Sequence, residues 1–163
     1  ELHFLHPLLM IDTIFPYLWA ILLASFVGYI AWRNNFKVRR ANACIAFRSA
    51  VLAELGSIYP NPANWPGDID KFLRSKFAAL QTSVENFRPF VPWWKRWLFD
   101  HAWRIYRLGE DGRDIDIQYY WQYRPHVVDG VENGRYHKYD NTLTFKENFK
   151  KNVARLLSFA NET

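Results

Sequence analysis

The sequence predicts a mainly α protein: one N-terminal transmembrane helix, then a small cytoplasmic helical bundle of about four helices, with an irregular or β-hairpin insertion near 110–141. Three observations predict it. Residues 8–32 form one long apolar run; four later stretches repeat apolar residues every three or four positions; and 109–141 breaks that period with turn residues.

Residues 8–32 carry a single charge, Asp12, and Arg33 follows directly. A helix of that length reaches about 37 Å at ~1.5 Å per residue, enough for a hydrocarbon core of about 30 Å. No Lys or Arg precedes the run, whereas Arg33, Lys37, Arg39, Arg40 and Arg48 follow it. That asymmetry predicts a short external N-terminus (1–7), a transmembrane helix (8–32) and a cytoplasmic domain (33–163), as in a single-pass protein. A cleaved leader would carry its positive charge before a shorter run, so it fits poorly. Within the run, Ala20, Ala24 and Gly28 recur every four residues on one face. Small residues at that spacing let two membrane helices approach closely, and Asp12 and Pro16 lie on the same side.

Net charge is +5 over 163 residues. Since Glu1 and Asp12 are the only charged residues in 1–32, residues 33–163 hold 21 basic against 14 acidic side chains, a net +7. Arg33, Lys37, Arg39 and Arg40 supply much of the excess, which suits topology and anionic lipid. Elsewhere the signs alternate, and no basic stripe points to nucleic acid.

From 38 to 58, Cys44, Phe47, Val51, Leu55 and Ile58 mark one face of a helix that continues from the membrane run, with Asn34 and Asn35 as its candidate bend. Pro60, Pro62 and Pro66 end it. Asp68 is the expected N-cap of a second helix, whose stripe is Ile69, Phe72, Leu73, Phe77, Leu80, Val84 and Phe87. Pro89 and Pro92 close that helix. A third, over 92–108, carries the stripe Trp94, Trp97, Leu98, His101, Ile105 and Leu108, with Trp93, Phe99, Trp103 and Tyr106 over much of the remainder. A helix apolar nearly all round is expected to be buried nearly all round.

Between the turn signals GEDGRD and DGVENGR, residues 115–123 alternate apolar and polar, which predicts a strand pairing loosely with 135–140, or else an ordered loop. Thr144 with Glu147 is a capping-box pattern. It opens a last helix whose buried face is Phe145, Phe149, Val153, Leu156, Leu157 and Ala160.

Four segments, ACIAFRSAVLAEL (43–55), FRPFV (87–91), FDHAWRIY (99–106) and LLSFA (156–160), resemble a set of small uncharacterised bacterial single-pass membrane proteins with a cytoplasmic helical domain. The resemblance implies bacterial origin and this topology, and it attaches no activity.

No catalytic, cofactor or metal signature emerges. His3 and His6 lack a third ligand; His126/Asp129 and His137/Asp140 share only an H-x-x-D spacing. His101 reads as a buried histidine bonded to a neighbour, and Cys44, the one cysteine, as an inert small hydrophobe. There is no phosphate-binding glycine loop and no nucleophile elbow. The residues that stand out suit interaction: the small face in the run, and the aromatics Trp93, Trp97, Trp103, Tyr120 and Trp121 as a surface. The expected function is therefore a non-catalytic accessory or scaffold subunit of a larger membrane complex, whose partners are membrane lipid and another transmembrane protein or a second copy. The competing class is a membrane-tethered enzyme or small-ligand sensor, in which these aromatics with Tyr119 and Tyr123 would line a pocket.

Overall fold

The computed structural model describes residues 6–109, 120–132 and 135–161; of these, the side chains of 6–16, 128, 131, 132 and 135–139 lie outside the description. The chain divides into two compact units, Glu1–Ala41 and Asn42–Thr163.

One helix, α1 (His6–Leu55), supplies the first unit and opens the second. Asn34 and Asn35 lie within it rather than ending it. In the first unit its large apolar side chains are exposed, among them Leu22, Phe26, Val27 and Trp32. Among the described residues, no helix is long and apolar enough to cross a membrane. Residues 8–16, the first part of the expected span, and Asp12 with them, fall outside the described side chains.

The second unit is a helical bundle. After the cis Tyr59–Pro60 bond come α2 (Ile69–Phe87), α3 (Arg96–Leu108) and α4 (Phe145–Leu157). On α1, Cys44, Phe47, Val51 and Leu55 are buried at the spacing the sequence predicts, and Ile58 is buried just beyond. The α2 stripe is buried at Ile69, Leu73, Leu80, Val84 and Phe87, while Phe72 and Phe77 are half-buried. Phenylalanines join the helices: Phe47 stacks on Phe87 at 4.5 Å and meets Phe99 edge-on at 5.9 Å, and Phe99 meets Phe159 at 5.4 Å. Asp68 caps α2 as expected, accepting from the Lys71 backbone N–H at 3.1 Å.

Three expectations need correction. On α3 the buried face is Phe99, Ala102, Trp103, Ile105, Tyr106 and Leu108, whereas Trp94, Trp97, Leu98 and His101 face solvent. The bundle covers Ile105 and Leu108 of the predicted stripe together with the face set by Phe99, and leaves the stripe's N-terminal members outside. At the start of α4, the Thr144 side chain makes no capping bond; the backbone N–H groups of Thr144 and Phe145 both reach the Asn141 carbonyl at 2.9 Å instead. The strand expected over 115–123 is absent from its described part, because Tyr120, Gln122 and Tyr123 are all buried and Trp121–Tyr123 is a 3-10 turn. Two adjacent inward side chains are incompatible with a period of two; residues 115–119 lie outside the description. The hairpin lies later, with β1 (Val127–Glu132) antiparallel to β2 (Arg135–Asp140) and Val127 opposite Asp140.

Buried amides tie this segment to the bundle. Gln122 Nε2 donates to the Ile105 and Tyr106 carbonyls at 2.9 and 3.2 Å, at the α3 terminus, where the Ile105 carbonyl also accepts from the Gly109 N–H at 2.9 Å. Gly109 ends α3 at φ +85°, and a Cβ there would stand 3.2 Å from Gln122 Oε1, so glycine suits both the conformation and the space. Tyr123 Oη donates to the Tyr106 carbonyl at 2.9 Å and accepts from Asn152 Nδ2 at 3.1 Å. Asn141 donates to the Gln122 carbonyl and accepts from the His126 N–H.

The neighbouring hydroxyls of Tyr106 and Tyr120 are buried without a partner. Tyr123→Phe therefore strands a buried amide and should cost about 1–3 kcal/mol, whereas Tyr106→Phe removes a cost and should be neutral or stabilising. Denaturant melts of the purified variants check this; equal losses would refute it.

Burial also raises the hydroxyl pKa of Tyr106, Tyr120 and Tyr123 above the ordinary 10.0. The folded chain then keeps protons that the unfolded chain releases. Stability should be complete below pH 10 and fall as pH rises above it, readable as a falling Tm.

Candidate functional site

An exposed indole cluster begins where α2 hands over to α3. Residues 86–99 contain no acid and three cations, Arg88, Lys95 and Arg96. Pro89 and Pro92 stop α2, and the backbone continues through short 3-10 turns at Arg88–Phe90 and Trp93–Lys95. Val91 is the residue that turns inward, at 2% exposure. Trp93, Trp94 and Trp97 turn outward, at 76%, 57% and 65%, with Leu98 beside them at 38%.

Polar contacts fix this display. Arg88 grips Asp100 through two parallel bonds, Nε to Oδ1 and Nη2 to Oδ2, each 2.8 Å. The fork joins the end of α2 to the second turn of α3. Arg96 reaches back across the turn, donating to the Val91 and Pro89 carbonyls at 3.1 Å each. Trp93 and Trp94 meet edge-to-face at 5.7 Å. The indoles are thus held by a braced turn.

Below Leu98 a groove of about 530 Å³ is lined by His101, Ile105, Arg155, Ser158 and Phe159. His101 is exposed rather than buried, with Nδ1 3.4 Å from Arg104 Nη2. A second hollow, of about 680 Å³, lies by Trp65, Asp68, Arg124 and Lys146. Its charges are engaged locally: Arg124 pairs with Asp68 at 2.9 Å, and the Lys146 ammonium lies over the Trp65 ring at 5.9 Å.

Of the aromatics expected at a surface, Trp93 and Trp97 are exposed and Trp121 is half-buried, edge-on to His126 at 4.6 Å. Trp103 and Tyr120 are core residues. Trp103 stacks between Phe77 and Tyr106 and donates Nε1–H to Gln81 Oε1 at 3.0 Å, which satisfies the indole inside the bundle. With Tyr123 also buried and Tyr119 outside the description, these aromatics line neither hollow. Trp94 and Leu98 belong to the surface although the sequence pattern assigns them to the core.

In the first unit, Ala20, Ala24 and Gly28 are exposed, and nothing lies within 4 Å of a Cβ built on Gly28. Arg33, Lys37 and Arg39 are exposed and Arg40 is half-buried. Cys44 is buried, as its place on the apolar face predicts. Among the described residues no group of three or more His, Cys, Asp or Glu could hold a metal ion; His3 and the side chains of His6 and His137 lie outside them.

The chain matches no family model, and no curated protein or solved structure is similar to it.

The Arg88 hydrogen bonds hold the Asp100 carboxyl below its ordinary 3.8, and the Lys71 N–H does the same for Asp68. Both contributions are complete above the ordinary carboxylate value and are lost as pH falls through the lower folded values. Asp100→Asn should flatten part of the acid limb of a Tm-against-pH curve while leaving the region above pH 5 with only a small loss. An unchanged acid limb would show that the fork contributes nothing.

Proposed function

We propose that this is a membrane-anchored interaction protein: a non-catalytic accessory or scaffold subunit held by the N-terminal part of α1, with the bundle on the cytoplasmic side of a bacterial inner membrane. The observation that carries the reading is the exposure of nearly every large apolar side chain on residues 17–38 of α1. Each such side chain leaves about 1.5–3 kcal/mol of burial unrealised in water, a cost that a lipid or protein environment removes. The sequence continues the apolar run upstream through residues 8–16, and the exposed Arg33, Lys37 and Arg39 follow it, the order that retains positive charge in the cytoplasm.

Association through this helix is supported by the face of Ala20, Ala24 and Gly28, which is open in the chain alone. Close approach of a second helix there would give dispersion and backbone contacts that lipid tails cannot match. The partner is another transmembrane protein or a second copy. Of the lining proposed for an enzyme or sensor pocket, Trp103, Tyr120 and Tyr123 are buried, whereas Trp93 and Trp97 are exposed.

The test is extraction of the membrane fraction in mild detergent and separation on native gels. The wild type should migrate as a complex. Gly28→Leu should weaken that complex about tenfold or more while leaving the bundle's melting unchanged, because its own unit offers no clash. Leu22→Ala, on another face, should do little. A strictly monomeric wild type, or a complex sensitive to Leu22→Ala and indifferent to Gly28→Leu, overturns the proposal.

A further inference from the structure

We infer that the indole cluster Trp93, Trp94 and Trp97 is a second membrane contact, a dock for the headgroup region of an anionic lipid surface. The inference rests on the membrane-anchored reading above and adds to it a lipid site on the folded bundle.

Four observations favour lipid as the occupant. Indoles combine an apolar body with one N–H donor, the combination that concentrates tryptophan at the boundary between hydrocarbon and water. The charge around them is mainly positive: Lys95, between Trp94 and Trp97 in sequence, is exposed, Arg88 and Arg96 flank it, and the acid beside them, Asp100, is paired with Arg88. The rings are displayed on a turn braced by the Arg88–Asp100 fork and the Arg96 contacts, so little ordering cost remains on docking.

The cluster also lies at one particular end of the bundle. Phe47, one turn beyond the first buried residue of α1 in this unit, packs on Phe87 at the end of α2 and on Phe99 near the start of α3. The connection bearing the indoles therefore lies near the first α1 residues of this unit. Trp32 and Asn42 are ten positions apart in sequence, so a bilayer holding Trp32 keeps that end within about 35 Å however the intervening chain is arranged.

The experiment uses the full chain in vesicles of phosphatidylcholine, with or without one-third phosphatidylglycerol. A nitroxide is attached at Lys95→Cys or, as a control at the far end of α4, at Glu147→Cys; buried Cys44 is replaced by Ser in both. Flotation first tests anchoring itself. Power saturation then compares collisions with oxygen, enriched in the bilayer, against a water-soluble nickel chelate.

The expected result is a severalfold higher oxygen-to-nickel ratio at 95 than at 147, greater with phosphatidylglycerol, and reduced about twofold or more by Trp94→Ala/Trp97→Ala with flotation unchanged. Flotation with a water-like ratio at 95 overturns the inference and leaves the anchored reading intact. A ratio that survives loss of both indoles overturns it too. A chain that fails to float removes both.

Discussion

The second unit depends on satisfying the carbonyls at the end of α3. A helix that stops inside a bundle leaves acceptors without partners, and each unmet buried group costs about 1–3 kcal/mol. Here Gln122 and the Tyr123 hydroxyl answer the Tyr106 carbonyl, and Gln122 shares the Ile105 carbonyl with the Gly109 N–H. Asn152 on α4 then holds the Tyr123 hydroxyl, and Asn141 holds the Gln122 backbone and His126. Residues distant in sequence thereby become one closed polar layer. Gly109, at positive φ, lets the chain leave α3 without striking Gln122.

That layer divides α3 in function. Its C-terminal half is locked into the core through Tyr106, while its N-terminal turn buries Phe99 and leaves Trp97 and Leu98 exposed. The indoles ahead of it are left to solvent although they are as apolar as the residues inside. Exposing three large rings on a rigid turn forgoes burial energy, and contiguous apolar exposure of this kind marks interaction surfaces. The excess of cations over acids around them, with Asp100 taken up by Arg88, narrows the class of partner.

The same tension runs through α1. Its later turns bury one face in the bundle, at Cys44, Phe47, Val51 and Leu55, and leave Ile45 and Leu52 outside. Its earlier described turns expose apolar side chains all round. One uninterrupted helix thus carries two patterns, one amphipathic and one apolar on every face, and their boundary coincides with Arg33, Lys37, Arg39 and Arg40.

Much of this was legible in the residues. The helices, the Asp68 cap, the buried stripes of α1, α2 and α4, and the continuity of α1 all follow from local rules of spacing, capping and proline placement, which act within a few turns of chain. The partners of Gln122, Asn141 and Asn152, the burial of Trp103 and Tyr120, and the choice between the two apolar faces of α3 were not legible. Each is decided by a contact between segments far apart in sequence: Gln81 for the Trp103 indole, the α3 carbonyls for Gln122, Phe47 for Phe99. Periodicity states that a face is apolar. Only the packed neighbours, by closing on Phe99 and leaving Trp97 and Leu98 in the same turn outside, decided which apolar side chains lay inside.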